Sequence, residues 1–182
     1  ASDVYISESR FLVRNPQRAR HIQEAGMEIV QGDITDYASL LSGMQGCDAV
    51  INLANLYTMW SLHREDFTKV NIEGTRNVML AALETGIQKV VYLSTVAVYG
   101  KPEQPPIRED TPHGKRWFSE YGRTKAEGDR IAWELHHTRG RAACRPGAYP
   151  LTPPGRCSKV LRSTAARLNA NWGSSIPLCA QL

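Results

Sequence analysis

The sequence predicts an α/β fold built on a doubly wound parallel sheet. Two observations carry this. Short apolar runs rich in β-branched residues, such as Ala49-Val50-Ile51-Asn52-Leu53 and Val90-Val91-Tyr92-Leu93, alternate with helix-length segments, which is how strands buried on both faces read. One of these runs ends in two hydroxyls, Ser94 and Thr95, and Tyr121 and Lys125 follow four residues apart; in open parallel sheets the chemistry sits at the carboxyl ends of the strands.

Taken in order, the chain offers strands near Arg10 to Val13, Glu28 to Gln31, Ala49 to Leu53 and Lys89 to Ser94. Helices are expected near Pro16 to Ala25, Tyr37 to Gly43, Arg64 to Thr85 and Ser119 to Thr138, the last with Ser119 as its cap. Lys101 to Trp117 contains Pro102, Pro105, Pro106 and Pro112, which forbid a regular helix, so it reads as a loop. A lid over the site and a plain surface connection are both open for it. Arg141-Ala142-Ala143-Cys144, where a sixth strand would fall, is poor in the β-branched residues that a central strand favours.

Composition fits a globular domain: 42% of residues are hydrophobic and 22% charged. No apolar run reaches the roughly 20 residues that span a bilayer, so no membrane partner is expected. The start lacks a basic flank followed by an apolar core, so no signal peptide is read and a cytoplasmic location is expected. The formal charge of +4 comes from the tail: Leu135 to Leu182 holds seven Lys and Arg and no acid, which leaves 15 basic against 18 acidic residues elsewhere. No basic stripe with interleaved aromatics appears, and no nucleic-acid partner is expected. Cys144, Cys157 and Cys179 lie in the same tail and Cys47 alone in the body, without metal-like spacing; neither a disulfide framework nor a metal site is expected.

On a helix Tyr121 and Lys125 share one face, and a hydroxyl from a preceding strand end can meet them. A phenol near its free pKa of about 10 is a poor proton shuttle at neutral pH, and an adjacent ammonium favours the phenolate. Together they outline an acid/base site.

Further ordered motifs surround this pair: Gly32-Asp33-Ile34-Thr35-Asp36, Asn52-Leu53-Ala54-Asn55, Val70-Asn71-Ile72-Glu73-Gly74-Thr75, Ser94-Thr95 with Val98-Tyr99-Gly100, and Arg145-Pro146-Gly147. With them the chain, from about Phe11 to about Gly147, resembles the extended short-chain dehydrogenase/reductase family, the NAD-dependent epimerase/dehydratase and dihydroflavonol-reductase-like group. The resemblance implies a Rossmann-like fold in which Asp33 and Ile34 contact the adenine and Leu53, Ala54 and Asn55 pass beside the cofactor. It also implies that Asn71 lies near the active site, that Thr95 is the catalytic hydroxyl helped by Ser94, and that Tyr121 and Lys125 are the catalytic pair, both touching the cofactor. Structural roles remain open for three of these: Asp33 could turn the chain and cap the helix at Tyr37, Asn71 could satisfy backbone groups in a helix bend, and Ser94 could hold the strand end.

In such folds an acid after the second strand binds the ribose hydroxyls of NAD, and a basic residue accommodates the extra phosphate of NADP. This chain has Arg14 and Asn15, then Arg18 and Arg20, which favours NADP over NAD.

Both ends depart from the family pattern. No Gly-x-x-Gly-x-x-Gly occurs, so about 30 residues of a first strand, glycine turn and helix are read as missing, by the size of a βαβ element. After Arg145-Pro146-Gly147 the chain reads Ala148-Tyr149-Pro150 in place of the usual Tyr-Gly-Pro turn, and the family's substrate domain is read as missing. The expected organisation is a partial NAD(P)-binding domain over 1–147 and an irregular basic tail over 148–182, the tail being a shifted or truncated remnant, a linker or a binding segment. The function expected is an NAD(P)-dependent oxidoreductase or sugar epimerase/dehydratase acting on a small molecule, a nucleotide sugar or a hydroxy/keto compound, with a homodimer compatible with the reading. The alternative is a non-catalytic remnant or cofactor-sensing binder.

Overall fold

The protein is described by a computed structural model, which covers residues 9–58, 63–101, 106–108, 110–143 and 178–181. Strands β1 (Ser9–Val13), β2 (Glu28–Gln31), β3 (Ala49–Asn52), β4 (Lys89–Tyr92) and β5 (Leu178–Gln181) form one parallel sheet in the order β2-β1-β5-β3-β4. Four residues of the stretch read as an irregular tail are therefore a strand. Strand β5 lies between β1 and β3, in the central place that the fold gives to its first strand, and it pairs Ser9 with Leu178 on one side and Ala49 with Leu178 on the other. Val4-Tyr5-Ile6 and Arg145-Pro146-Gly147 lie outside the described residues.

The two faces of the sheet are separated by the strand alternation of side chains. Leu12 and Val30 point into a cluster with Leu40, Met44, Val50, Val78, Ala81 and Ala82, which belong to β3 and to helices α2 (Tyr37–Met44) and α4 (Thr75–Glu84). Their neighbours Phe11, Val13 and Ile29 pack on the opposite face against Ala19 and Ile22, from a 3-10 turn (Pro16–Ala19) and helix α1 (Arg20–Glu24). A sheet with helices on both faces is what the apolar runs foretold.

Most elements fall within a residue or two of expectation. The segment read as one helix over Pro16 to Ala25 is instead the 3-10 turn followed by α1, the turn opened by Asn15, whose side chain accepts from Gln17 N at 3.0 Å. Arg64 to Glu84 is helical throughout but carries a π-helical stretch, Thr68–Gly74, between α3 (Arg64–Phe67) and α4. Helix α5 runs from Glu120 to Ala143, so Arg141, Ala142 and Ala143 extend a helix and are not a damaged strand; arginine and alanine are strong helix formers. Ser119 caps it as expected, its hydroxyl accepting from Gly122 N at 3.2 Å.

Candidate active site

Strand β4 ends at Tyr92, and the chain then enters a short 3-10 turn (Val96–Tyr99) that Thr95 opens, its hydroxyl accepting from Ala97 N at 3.3 Å. The described part of the proline loop packs on that turn: Gly114 N donates to Val98 O at 3.0 Å, and Trp117 Nε1 donates to the same carbonyl at 2.8 Å. A Cβ on Gly100, at φ +55°, would stand 2.0 Å from Arg116 O, so only glycine fits this close approach of loop to turn.

Three expected residues meet at the end of β4. The Thr95 hydroxyl lies by the phenol of Tyr121 and acts to lower its pKa. Lys125, 2% exposed, lies one helical turn further along α5, with Nζ donating to Tyr92 Oη at 2.7 Å and to Leu93 O at 2.6 Å. Burial lowers this ammonium to about 8, and the Asp129 carboxylate opposes the fall. The phenol of Tyr121, by contrast, is raised, first by burial and then by Tyr57 and Asp129, with Thr95 acting against them. The sequence led us to expect a phenol lowered by its lysine neighbour; in this structure Lys125 is engaged by Tyr92 and Leu93, and burial governs Tyr121.

Ser94 and Asn71 have other partners. Ser94 Oγ donates to Asp129 Oδ2 at 2.6 Å. Asn71, 1% exposed in the π-helical stretch, accepts from Leu56 N at 2.7 Å and donates to Leu56 O at 3.3 Å and to Thr124 Oγ1 at 3.1 Å. It ties the segment after β3 to the helix that carries Tyr121. Single π turns inside helices gather at functional sites. Tyr57, from the same segment, meets the Tyr121 ring edge-on with centroids 5.0 Å apart. Tyr57, Val96 and Phe118 are exposed, at 74%, 81% and 85%, so two apolar side chains of the flanking segments and the tyrosine against Tyr121 all face solvent.

A second group of expected residues lies at the ends of β1 and β2, where a pocket of about 360 Å³ is lined by Arg14, Gln31, Gly32, Asp33, Asp36 and Ser39. Asp33 turns the chain by accepting from Thr35 N and Thr35 Oγ1, both at 2.8 Å. The cap of α2 is Asp36, which accepts from Ala38 N and Ser39 N, and not Asp33. Ile34 is buried in the core and its carbonyl accepts from Asn77 Nδ2 at 3.1 Å. Beyond β3, Ala54 N donates to Asn52 Oδ1 at 3.1 Å and Asn55 Nδ2 to Leu53 O at 2.9 Å, while Asn52 Nδ2 and Asn55 Oδ1 are buried without a hydrogen-bond partner.

The carboxyl ends of β1 and β2 thus hold an open polar pocket with one arginine and a close-packed glycine, and unpaired amide atoms follow β3. Among the described residues no group of His, Cys, Asp and Glu could hold a metal, and no helix is long and apolar enough to cross a membrane. Cys47 is a buried thiol whose Sγ donates to Gly43 O at 3.8 Å.

Three residues of the site escaped the sequence reading. Asp129 lies four residues after Lys125 and eight after Tyr121, a spacing that puts all three on one helix face and could have revealed it. Tyr92 was assigned only to the strand. His113, whose Nε2 lies 3.4 Å from Asp129 Oδ2, comes from the proline loop and carried no local signal.

Sequence and structure comparisons fix the class. The model of the NAD dependent epimerase/dehydratase family matches residues 6–170, and the chain belongs to that family. It is 28% identical to 2-alkyl-3-oxoalkanoate reductase of Shewanella oneidensis over 88% of this chain and 38% of that protein. It is 33% identical to N-acetyl-alpha-D-glucosaminyl-diphospho-ditrans,octacis-undecaprenol 4-epimerase of Escherichia coli O157:H7 over 85% of this chain and 42% of that one. Among solved structures, dTDP-glucose 4,6-dehydratase from Streptomyces venezuelae, determined with NAD bound, superposes with a TM-score of 0.67 at 27% identity, covering 76% of this chain and 45% of that enzyme. The chain thus spans less than half the length of these relatives.

Proposed function

We propose that this chain carries the cofactor and proton-transfer half of an NAD(P)-dependent oxidoreductase or epimerase/dehydratase of the extended short-chain type. The observation that supports it most is the anchoring of buried Lys125 to Leu93 O at the carboxyl end of β4, one helical turn from Tyr121, with Thr95 acting on the same phenol. The raised pKa keeps Tyr121 in its acid form at neutral pH, ready to protonate a carbonyl oxygen that Thr95 orients. Lys125 has given two of its three donors to Tyr92 and Leu93, and the third is available to hold a ribose hydroxyl. Arg14 in the pocket favours NADP, whose additional phosphate it would neutralise. A bound nicotinamide cofactor would supply or accept the hydride; the protein moves the proton.

The substrate class that fits is a small hydroxy or keto compound or a nucleotide sugar, as in the relatives named above. Ser94 and Asn71 support the site by holding Asp129 and the Tyr57 segment. Calorimetric titration of the protein with NADPH and NADH, alongside turnover of β-keto acids and nucleotide sugars, tests the reading. Turnover abolished in Tyr121→Phe with NADPH affinity kept supports it, and full turnover in that variant assigns the proton transfer elsewhere. Cofactor binding with turnover of none of these substrates favours a cofactor-sensing binder.

A further inference from the structure

Behind the Tyr121 site lies a buried polar cluster that the proton transfer itself does not use. Tyr92 Oη accepts from Lys125 Nζ at 2.7 Å, and the same ammonium stands 4.0 Å from the centre of the Tyr92 ring. The Asp129 carboxylate lies against this phenol and interacts with it. It accepts from Ser94 Oγ at 2.6 Å and faces His113 Nε2 at 3.4 Å, while its second oxygen is buried with no hydrogen-bond partner. An unpaired buried carboxylate oxygen costs free energy, so it calls for a compensating charge nearby. His113 and the ammonium of Lys125 both act on this carboxylate to hold its pKa down.

The approach of strand to helix is made possible by one residue. A Cβ on Gly128 would lie 2.8 Å from Tyr92 Oη and 2.8 Å from Asn71 O. Any larger side chain there would push the phenol from the helix face that carries both Lys125 and Asp129.

We propose that Tyr92 and Asp129 are positioning residues for Lys125: the phenol oxygen fixes where the ammonium sits, and the carboxylate behind it keeps that ammonium charged in a buried place. The proposal rests on the reading of Lys125 as part of the active site, but it concerns the charge and position of the lysine and needs no turnover to be tested. The groups that face the ammonium or its partners are Tyr92 on β4, Asp129 and Tyr121 on α5, His113 on the proline loop and Tyr57 after β3. Of these Asp129 is the acid: burial pushes its carboxyl up, and Ser94, His113 and Lys125 act to hold it down. The Tyr92 phenol is raised by its burial and by Asp129 and stays protonated, so it accepts from lysine as a neutral group.

The experiment is an NMR titration of protein carrying labelled lysine, following the Lys125 side-chain signals, assigned by their absence in Lys125→Met. We expect Lys125 in the parent protein to titrate near 8, below the surface lysines. Asp129→Asn removes the opposing charge while keeping shape, so the midpoint moves further down; Tyr92→Phe removes the acceptor while keeping the ring, and moves it down as well. Gly128→Ala, which displaces the phenol without deleting it, shifts it in the same direction. Glu127→Gln, on the exposed face of the same helix, leaves it unchanged. A Lys125 midpoint in Tyr92→Phe and Asp129→Asn equal to the parent's, in protein whose circular dichroism is intact, overturns the proposal. A loss of turnover in Tyr121→Phe bears on the catalytic reading alone, and the two failures are thereby told apart.

Discussion

Asn71 Nδ2 donates to Thr124 Oγ1 at 3.1 Å, and this contact, fully buried, joins the π-helical stretch to the helix that carries Tyr121 and Lys125. The same side chain also holds both backbone groups of Leu56. Asn71→Ala would leave Leu56 N and Thr124 to find other partners inside the protein. Each buried polar group so stranded costs about 1–3 kcal/mol, and we expect a lowered urea midpoint with an unchanged slope. A midpoint equal to the parent's would mean that water replaces the amide without loss.

The turn that closes the site depends on Gly100, whose φ is +55° and ψ −132°. Side chains rarely adopt that backbone, and a methyl group would also strike Arg116 O. Gly100→Ala should destabilise by about 1–3 kcal/mol from backbone strain alone, with the overlap in addition. Thermal unfolding measures it. If Gly100→Ala unfolded with the parent, the close contact between the proline loop and the 3-10 turn would have no energetic weight.

Much of this arrangement was legible in the sequence, and the misses have physical causes. Glu28 to Gln31 is the strand that its pattern foretold, because Ile29 and Val30 serve opposite faces of the sheet. The Ser119 cap was equally plain, since a hydroxyl before a helical run has few other uses. The π-helical stretch was not, because it is imposed by what Asn71 must reach on other segments. The lowered phenol was a local inference from the Tyr121 and Lys125 spacing, and it failed because burial raises Tyr121 while Tyr92, distant in sequence, takes the ammonium. Strand β5 could not be foreseen from local pattern: Leu178-Cys179-Ala180-Gln181 has little β propensity, and its place depends on the vacancy between β1 and β3.

Lys125 also makes a prediction about pH. Its folded value is about 8 and its ordinary one 10.5, so between these the unfolded chain binds more protons at this site than the folded one. Stability from this group therefore rises with pH across the window, and its burial cost is complete below pH 8. The gap corresponds to a change on the order of 3 kcal/mol for a fully expressed shift. The stability difference between the parent and Lys125→Met, followed by denaturant unfolding from pH 7 to pH 10.5, should move in favour of the parent as pH rises. A difference independent of pH would mean that the ammonium is not penalised by burial.

Leu40 sets the scale for the apolar core. It is fully buried between α2 and the sheet, in the cluster with Leu12, Val50 and Val78. Leu40→Ala removes its contacts and leaves a cavity, at a cost of about 2–5 kcal/mol. Chemical denaturation should show this as a fall in the midpoint, and a fall smaller than that of Gly100→Ala would place the main stability of the domain elsewhere.

The centre of the sheet gives the last prediction. Strand β5 is the only link between the β2-β1 pair and the β3-β4 pair within the described ladders, so removing residues 178–182 leaves unpaired backbone rows on β1 and β3. Each ladder hydrogen bond lost costs about 0.5–1.5 kcal/mol net, and an open inner edge invites pairing between molecules. The truncated protein should unfold at lower urea and scatter more light at the same concentration. A strand, glycine turn and helix fused ahead of residue 1 would compete for the same slot, because the fold places its first strand there and holds the pyrophosphate at the helix that follows. We expect that fusion to restore the stability of the truncated protein and to raise its affinity for NADPH in calorimetry. Truncated protein as stable and as monodisperse as the parent would show that β1 and β3 do not depend on β5.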